Sequence, residues 1–155
     1  MQKIREEGLS LPGEAEDKCC WCIPLKIGVI LIGVGIIGSA VNMVIGGVSM
    51  LGANFLLGIL LCASAAPILL SSWMYIKWFR NMEDADAKNG LFKACLFCIF
   101  SWICYAVVGL ILCLTTTGFT IGMWIGPYLI TSLIVGLIYL YYAGACKKYA
   151  KSTTS

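Results

Sequence analysis

The run PLKIGVILIGVGIIGSAVNMVI, residues 24–45, decides the fold. It holds a single charged side chain, Lys26, in its first turn, and everything after it is apolar or small apart from Ser39 and Asn42. A helix needs ~20 apolar residues to cross a bilayer core of ~30 Å, and this run supplies them. Pro24 suits a first helical turn, where the missing N–H costs nothing. Three further runs of the same kind follow, roughly Ala53 to Phe79, Leu91 to Leu114 and Met123 to Cys146. Pro67 falls inside the second and predicts a kink there. The intervening links are Gly46–Gly52, the charged segment Arg80–Gly90, and Thr115–Gly122. Four helices joined this closely pack most simply as an antiparallel bundle. The expected fold is therefore an all-α integral membrane four-helix bundle with short outer links. Its transmembrane domain covers residues 23–146, between an N-terminal tail (1–22) and a C-terminal tail (147–155).

Composition agrees. Of 155 residues, 60% are hydrophobic and 12% charged, with a mean hydropathy of +0.90. Soluble domains use charged residues at about twice that rate. Residues 1–22 mix both charge signs with Gly8, Pro12 and Gly13, which reads as a flexible tail. The first apolar run begins at Ile23 and outlasts a cleavable signal, so no signal peptide is expected.

The basic residues give the orientation. Lys3, Arg5, Lys18 and Lys26 flank the first span, Lys77, Arg80, Lys88 and Lys93 flank the central link, and Lys147, Lys148 and Lys151 follow the last span. These are all 11 basic residues, and none lies in the other two links. The positive-inside rule places both termini and the central link in the cytosol. Trp21, Trp73, Tyr75, Trp78, Phe92, Tyr139, Tyr141 and Tyr142 cluster at the same ends, where amphipathic rings anchor to headgroups.

The ionisable inventory excludes whole classes of function. There is no histidine, and all 8 acids lie in Glu6–Asp17 or Glu83–Asp86. No acid or histidine inside a span is available to relay protons. Glu83, Asp84 and Asp86 crowd one link without a nucleophile, so no enzyme and no cofactor are expected. A net charge of +3 is too small and too dispersed to argue for nucleic acid.

Small residues mark one face of the first span. Gly28, Gly35, Ser39, Asn42 and Gly46 are spaced by seven, four, three and four, which keeps them on one side of a helix. Gly122-x-x-x-Gly126 and Ser132-x-x-x-Gly136 repeat the idea in the fourth. Small residues let backbones approach closely in lipid, and Asn42 can hydrogen-bond across such a contact. Two uses stay open: packing within the bundle and contact between protomers. Asn42 with Ser39, Ser64, Thr131 and Ser132 would also be the lining of a pore, although a charge ring or exposed carbonyls would be wanted for selectivity.

Nine cysteines need an account. Cys19, Cys20, Cys22 and Cys146 fall at the expected cytosolic boundary, where juxtamembrane thiols beside basic residues are usual palmitoylation sites. Cys95-x-x-Cys98 opens the third span at the same surface. A zinc site with one of the first three cysteines is conceivable, but in a greasy helix that spacing more often serves packing, and no metal is expected.

The stretch Cys19-Cys20-Trp21-Cys22-Ile23-Pro24-Leu25-Lys26-Ile27-Gly28 resembles the entry to the first span in lysosome-associated four-span (LAPTM-like) proteins and related invertebrate tetraspan families. These share a cysteine-rich cytosolic knuckle, a basic residue and a glycine-bearing first helix. The resemblance implies a non-enzymatic role in endomembrane sorting or membrane organisation. The chain departs from that pattern in its very short outer links and in a tail without a proline-tyrosine motif. The expectation is a four-span protein that organises or shapes membrane by lateral self-association, with membrane lipids and its own copies as partners. A sorting adaptor that binds a cytosolic trafficking partner, and an oligomeric pore, are the alternatives. The expected location is the plasma membrane or endomembrane vesicles.

Overall fold

The computed structural model describes the backbone of residues 18–19 and residues 23–115, 118 and 120–152. Four helical stretches are long and apolar enough to cross a membrane: Leu25–Leu51, Phe55–Arg80, Ala85–Thr115 and Gly122–Ser152, of 27, 26, 31 and 31 residues. The first is helix α1 (Leu25–Leu51). A two-residue antiparallel pairing precedes it, β1 (Lys18–Cys19) with β2 (Ile23–Pro24). The second span is divided into α2 (Phe55–Ser64) and α3 (Ala66–Arg80). The third is α4 (Ala85–Thr115). The fourth runs through α5 (Gly122–Trp124), a π-helical turn (Ile125–Ile130) and α6 (Thr131–Ser152).

The two irregular spans owe their breaks to proline. The second span parts at Ala65, two residues before Pro67. Proline has no N–H to offer the preceding turn, and in a membrane a neighbouring hydroxyl commonly satisfies the carbonyls set free. Ser101 of α4 does this here, donating its hydroxyl to the Ser64 carbonyl at 2.5 Å. One turn further on, Ser71 donates to the Pro67 carbonyl at 3.1 Å and to the Ala94 carbonyl at 2.7 Å. Ser71 and Ser101 are both fully buried. We expect Ser101→Ala to destabilise the protein by about 1–3 kcal/mol, because it strands a buried acceptor. Thermal unfolding in detergent reads this, and an unchanged melting temperature would refute it. In the fourth span Pro127 lies within the π-helical turn, the wider winding by which a helix absorbs a missing donor.

Helix ends differ from the sequence expectation in three places. α1 continues to Leu51, so the first link shrinks to residues 52–54. Asn54 closes it as the cap of α2, accepting from the Leu57 N–H at 3.2 Å. The charged link shrinks to residues 81–84, since Asp84 accepts from the Asp86 N–H at 3.0 Å and starts α4 as an N-cap. The fourth helix passes Cys146 and reaches Ser152, so residues 147–152 are helix rather than tail. Alanine and lysine favour helix, Lys151 suits the negative end of the dipole, and Tyr149 and Ala150 are buried.

The core follows from α1. Val29, Gly33, Ile36, Ala40, Met43 and Gly47 are buried, spaced by four, three, four, three and four on the side facing α2 and α3, and Ile32 is buried beside them. Gly33 meets Tyr75 and Phe79, and Gly47 meets Cys62. Between the third and fourth spans, Gly109 meets Tyr128 and the Trp124 indole donates to the Ala106 carbonyl at 2.9 Å. Large buried side chains concentrate toward one end, where Trp78 stacks edge-on against Tyr75 and Tyr149 at centroid distances of 6.2 and 5.8 Å. This is also where the ends of α3 and α6 meet the start of α4, so Lys77, Arg80, Lys88, Lys93 and Lys147 gather there. Lys88 is buried and lies 3.8 Å from the exposed carboxylate of Glu83.

Candidate functional site: an open seam between the first and fourth spans

Of the neighbouring spans, the first and fourth touch least. One recess lies along this seam, and a second lies among the first three spans with Tyr128 of the fourth at its wall. The one toward the basic end has a volume of about 430 Å³, with Gly28, Leu31, Gly35 and Ser39 on the α1 side and Val135, Ile138, Tyr139 and Tyr142 on the α6 side. The one toward the opposite end has a volume of about 300 Å³; its wall includes Asn42, Gly46, Met50, Tyr105, Gly109 and Tyr128. Trp102 of α4 lines both. Its indole nitrogen is buried and has no hydrogen-bond partner among the described residues. Local sequence explains the opening: glycine removes side-chain bulk from α1, and the π turn redirects the first part of the fourth span.

Of the five small or polar residues singled out on α1, Gly28, Gly35 and Ser39 border the seam, and Asn42 and Gly46 line the other recess. Gly28 is buried, Ser39 is half-buried beside Tyr139, and Gly35, Asn42 and Gly46 are exposed. Nothing lies within 4 Å of a methyl group placed on Gly35 or Gly46. Neither glycine therefore supports a close helix contact inside the bundle. That role falls to Gly33, Gly47, Gly58 and Gly109, where an added methyl would collide with a neighbour. Gly33, Ala40 and Gly47 recur every seven residues, a spacing that was readable in the sequence. Gly122 and Gly126 are exposed and equally open. The polar residues do not form one lining: Asn42 and Ser64 border one recess and Ser39 the other, while the Ser132 hydroxyl is buried without a partner among the described residues.

The cysteines divide. Cys20 and Cys22 lie outside the described residues, as does the side chain of Cys19. Cys146 is placed inside the bundle instead of at the lipid boundary. It is fully buried, with its sulfur 3.2 Å from the Tyr75 hydroxyl and 3.8 Å from Cys95 Sγ. In this packing the Cys146 thiol faces Tyr75 and Cys95 rather than the outside of the bundle. Cys98 is buried as well. Among the described residues, no group of three or more Cys, Asp or Glu side chains is arranged to hold a metal ion.

No protein-family model, no curated protein and no solved structure matches this chain.

Proposed function

We propose that this chain is an antiparallel four-helix membrane bundle that organises membrane through lateral association with lipids and with copies of itself, and performs no enzymatic chemistry. The antiparallel arrangement is supported by contact pairs whose numbers run in opposite directions, such as Ser64 with Ser101 and Ser71 with Ala94. The gathering of lysines at one end supports a cytosolic position for that end and for both termini. Nearly all the described mass is helix of membrane-spanning character, so lateral surfaces are the largest that the described residues present.

The observation that carries self-association is the pair Gly122 and Gly126. They sit one turn apart, exposed, with nothing within 4 Å of a methyl on either, beside the exposed side chains of Ile121, Met123 and Ile130. Unused small residues on an outward helix surface are what a second helix needs for close approach in lipid. The test is Gly126→Leu, read by oligomer size and thermal unfolding in one detergent. We expect a smaller assembly with unchanged melting. Overpacking of about 1–3 kcal/mol at the contact would weaken a dimer roughly 5- to 150-fold. An oligomer of unchanged size would refute this surface.

A further inference from the structure

We propose that Cys95 and Cys146 are a redox pair, in which a hydroperoxide joins the two thiols as a disulfide that staples the third span to the basic end of the fourth. The reaction takes place within one copy of the chain and does not rest on self-association. The two sulfurs come from different spans, lie 51 residues apart in the chain and stand 3.8 Å from each other. A disulfide bond is about 2.0 Å long, so the sulfurs must approach by about 1.8 Å, which rotation about the two Cα–Cβ bonds can supply. The residues beside them are small and buried, Ala94 on α4 and Ala143, Gly144 and Ala145 on α6, so little side-chain bulk holds the backbones apart. The Tyr75 hydroxyl of α3 lies 3.2 Å from Cys146 Sγ and 3.9 Å from Cys95 Sγ. Cys98, one turn along α4, hydrogen-bonds with Tyr139 instead.

Both thiols are fully buried, and a thiol closed off from solvent is inert. The position of Cys146 supplies the way in. It lies less than two turns before Ser152, where α6 ends, and helix ends open locally far more readily than a core does. Unwinding from that end lifts Tyr149 off Trp78 and frees Cys146, whereas Cys95 lies well inside α4 and stays enclosed. In the opened state Cys146 Sγ attacks one oxygen of the hydroperoxide. An S–O bond forms, the O–O bond breaks, and the thiol proton leaves with the other oxygen as an alcohol, or as water when the oxidant is hydrogen peroxide. The Tyr75 hydroxyl is placed to hydrogen-bond the sulfenic oxygen once α6 closes again. Cys95 Sγ then attacks the sulfenic sulfur: an S–S bond forms, the S–O bond breaks, and the hydroxyl departs with the Cys95 proton as water. Each sulfur has lost one electron and the peroxide has gained two. A thiol reductant reverses the bond by exchange. Such reversibility fits the cytosolic end of the protein, where disulfides are transient and redox-sensing.

The experiment uses the full chain in phosphatidylcholine vesicles, treated with hydrogen peroxide, alkylated, and mapped by mass spectrometry without reduction. We expect a peptide pair joined through Cys95 and Cys146 of one chain, and its disappearance after dithiothreitol. Amide exchange over residues 147–152 should slow at least about tenfold in the oxidised protein, because the crosslink suppresses the opening that exposes them. The two single variants should differ. Cys95→Ala should accumulate a dimedone-reactive sulfenic acid at Cys146, and Cys146→Ala should leave Cys95 unmodified. In both, peroxide should leave exchange over 147–152 unchanged. Free thiols at both positions in the folded, peroxide-treated wild type would overturn the proposal without any variant. So would a disulfide that forms only after unfolding, one that joins either cysteine to a different partner, or unlinked sulfinic acids at the two positions.

Discussion

Gly58→Ala should be among the most damaging single-methyl changes in the chain. The link of residues 52–54 is so short that the end of α1 lies directly on the first turn of α2. A methyl on Gly58 would lie 2.7 Å from the Leu51 backbone nitrogen and 2.8 Å from its Cα. At Gly33 and Gly109 the obstructing atoms belong to the rings of Tyr75 and Tyr128, which can swing aside at some cost. At Gly58 the backbone itself must move. We expect a loss of about 1–3 kcal/mol or more, the range for overpacking a filled contact, together with a lower yield of folded protein. Gly35→Leu, a larger change, should leave melting untouched, because nothing lies within 4 Å of a first carbon added there. Equal melting temperatures for Gly58→Ala and wild type would contradict the packing of the first two spans.

The second large effect is all-or-none. Gly52 lies in the link between the first two spans and Asn81 in the central link, and both are exposed. In intact cells a membrane-impermeant maleimide should react with a Gly52→Cys variant and not with Asn81→Cys, and permeabilisation should make the second reactive. Peptide mapping separates the introduced thiols from Cys19, Cys20 and Cys22. The physical basis is the concentration of lysine and arginine at the Asn81 end and their absence from the links at the other end. The reverse pattern would invert the orientation.

The number and character of the spans were legible in the chain because a stretch of ~20 apolar residues is a one-dimensional signal that needs no knowledge of partners. Helix ends were not. Lys147, Lys148 and Lys151 look like a solvated tail, yet Tyr149 and Ala150 pack inward and hold the last turns in register. That extension is also why Cys146 is enclosed beside Tyr75 and Cys95 instead of lying at the boundary. The contact face of α1 was ambiguous for a related reason. Gly28, Gly33, Gly35, Gly38, Gly46 and Gly47 spread over several faces of one helix, and glycine spacing alone favours none of them. Partner side chains decide: Tyr75, Phe79 and Cys62 occupy the space over Gly33 and Gly47. The face with Gly35 and Gly46 is left without a close partner inside the bundle. The recesses depend on how far apart two non-consecutive spans stand, which no local pattern encodes.

The central claim is that the protein acts laterally, copy to copy, within the membrane. Donor- and acceptor-labelled chains co-reconstituted in vesicles at decreasing protein-to-lipid ratio test this most directly. Energy transfer should persist on dilution well below the density of random encounters and should fall to the random level for Gly126→Leu. Transfer that tracks the random-encounter curve for the wild type at every dilution would show that the bundle stands alone in lipid, and would contradict the account.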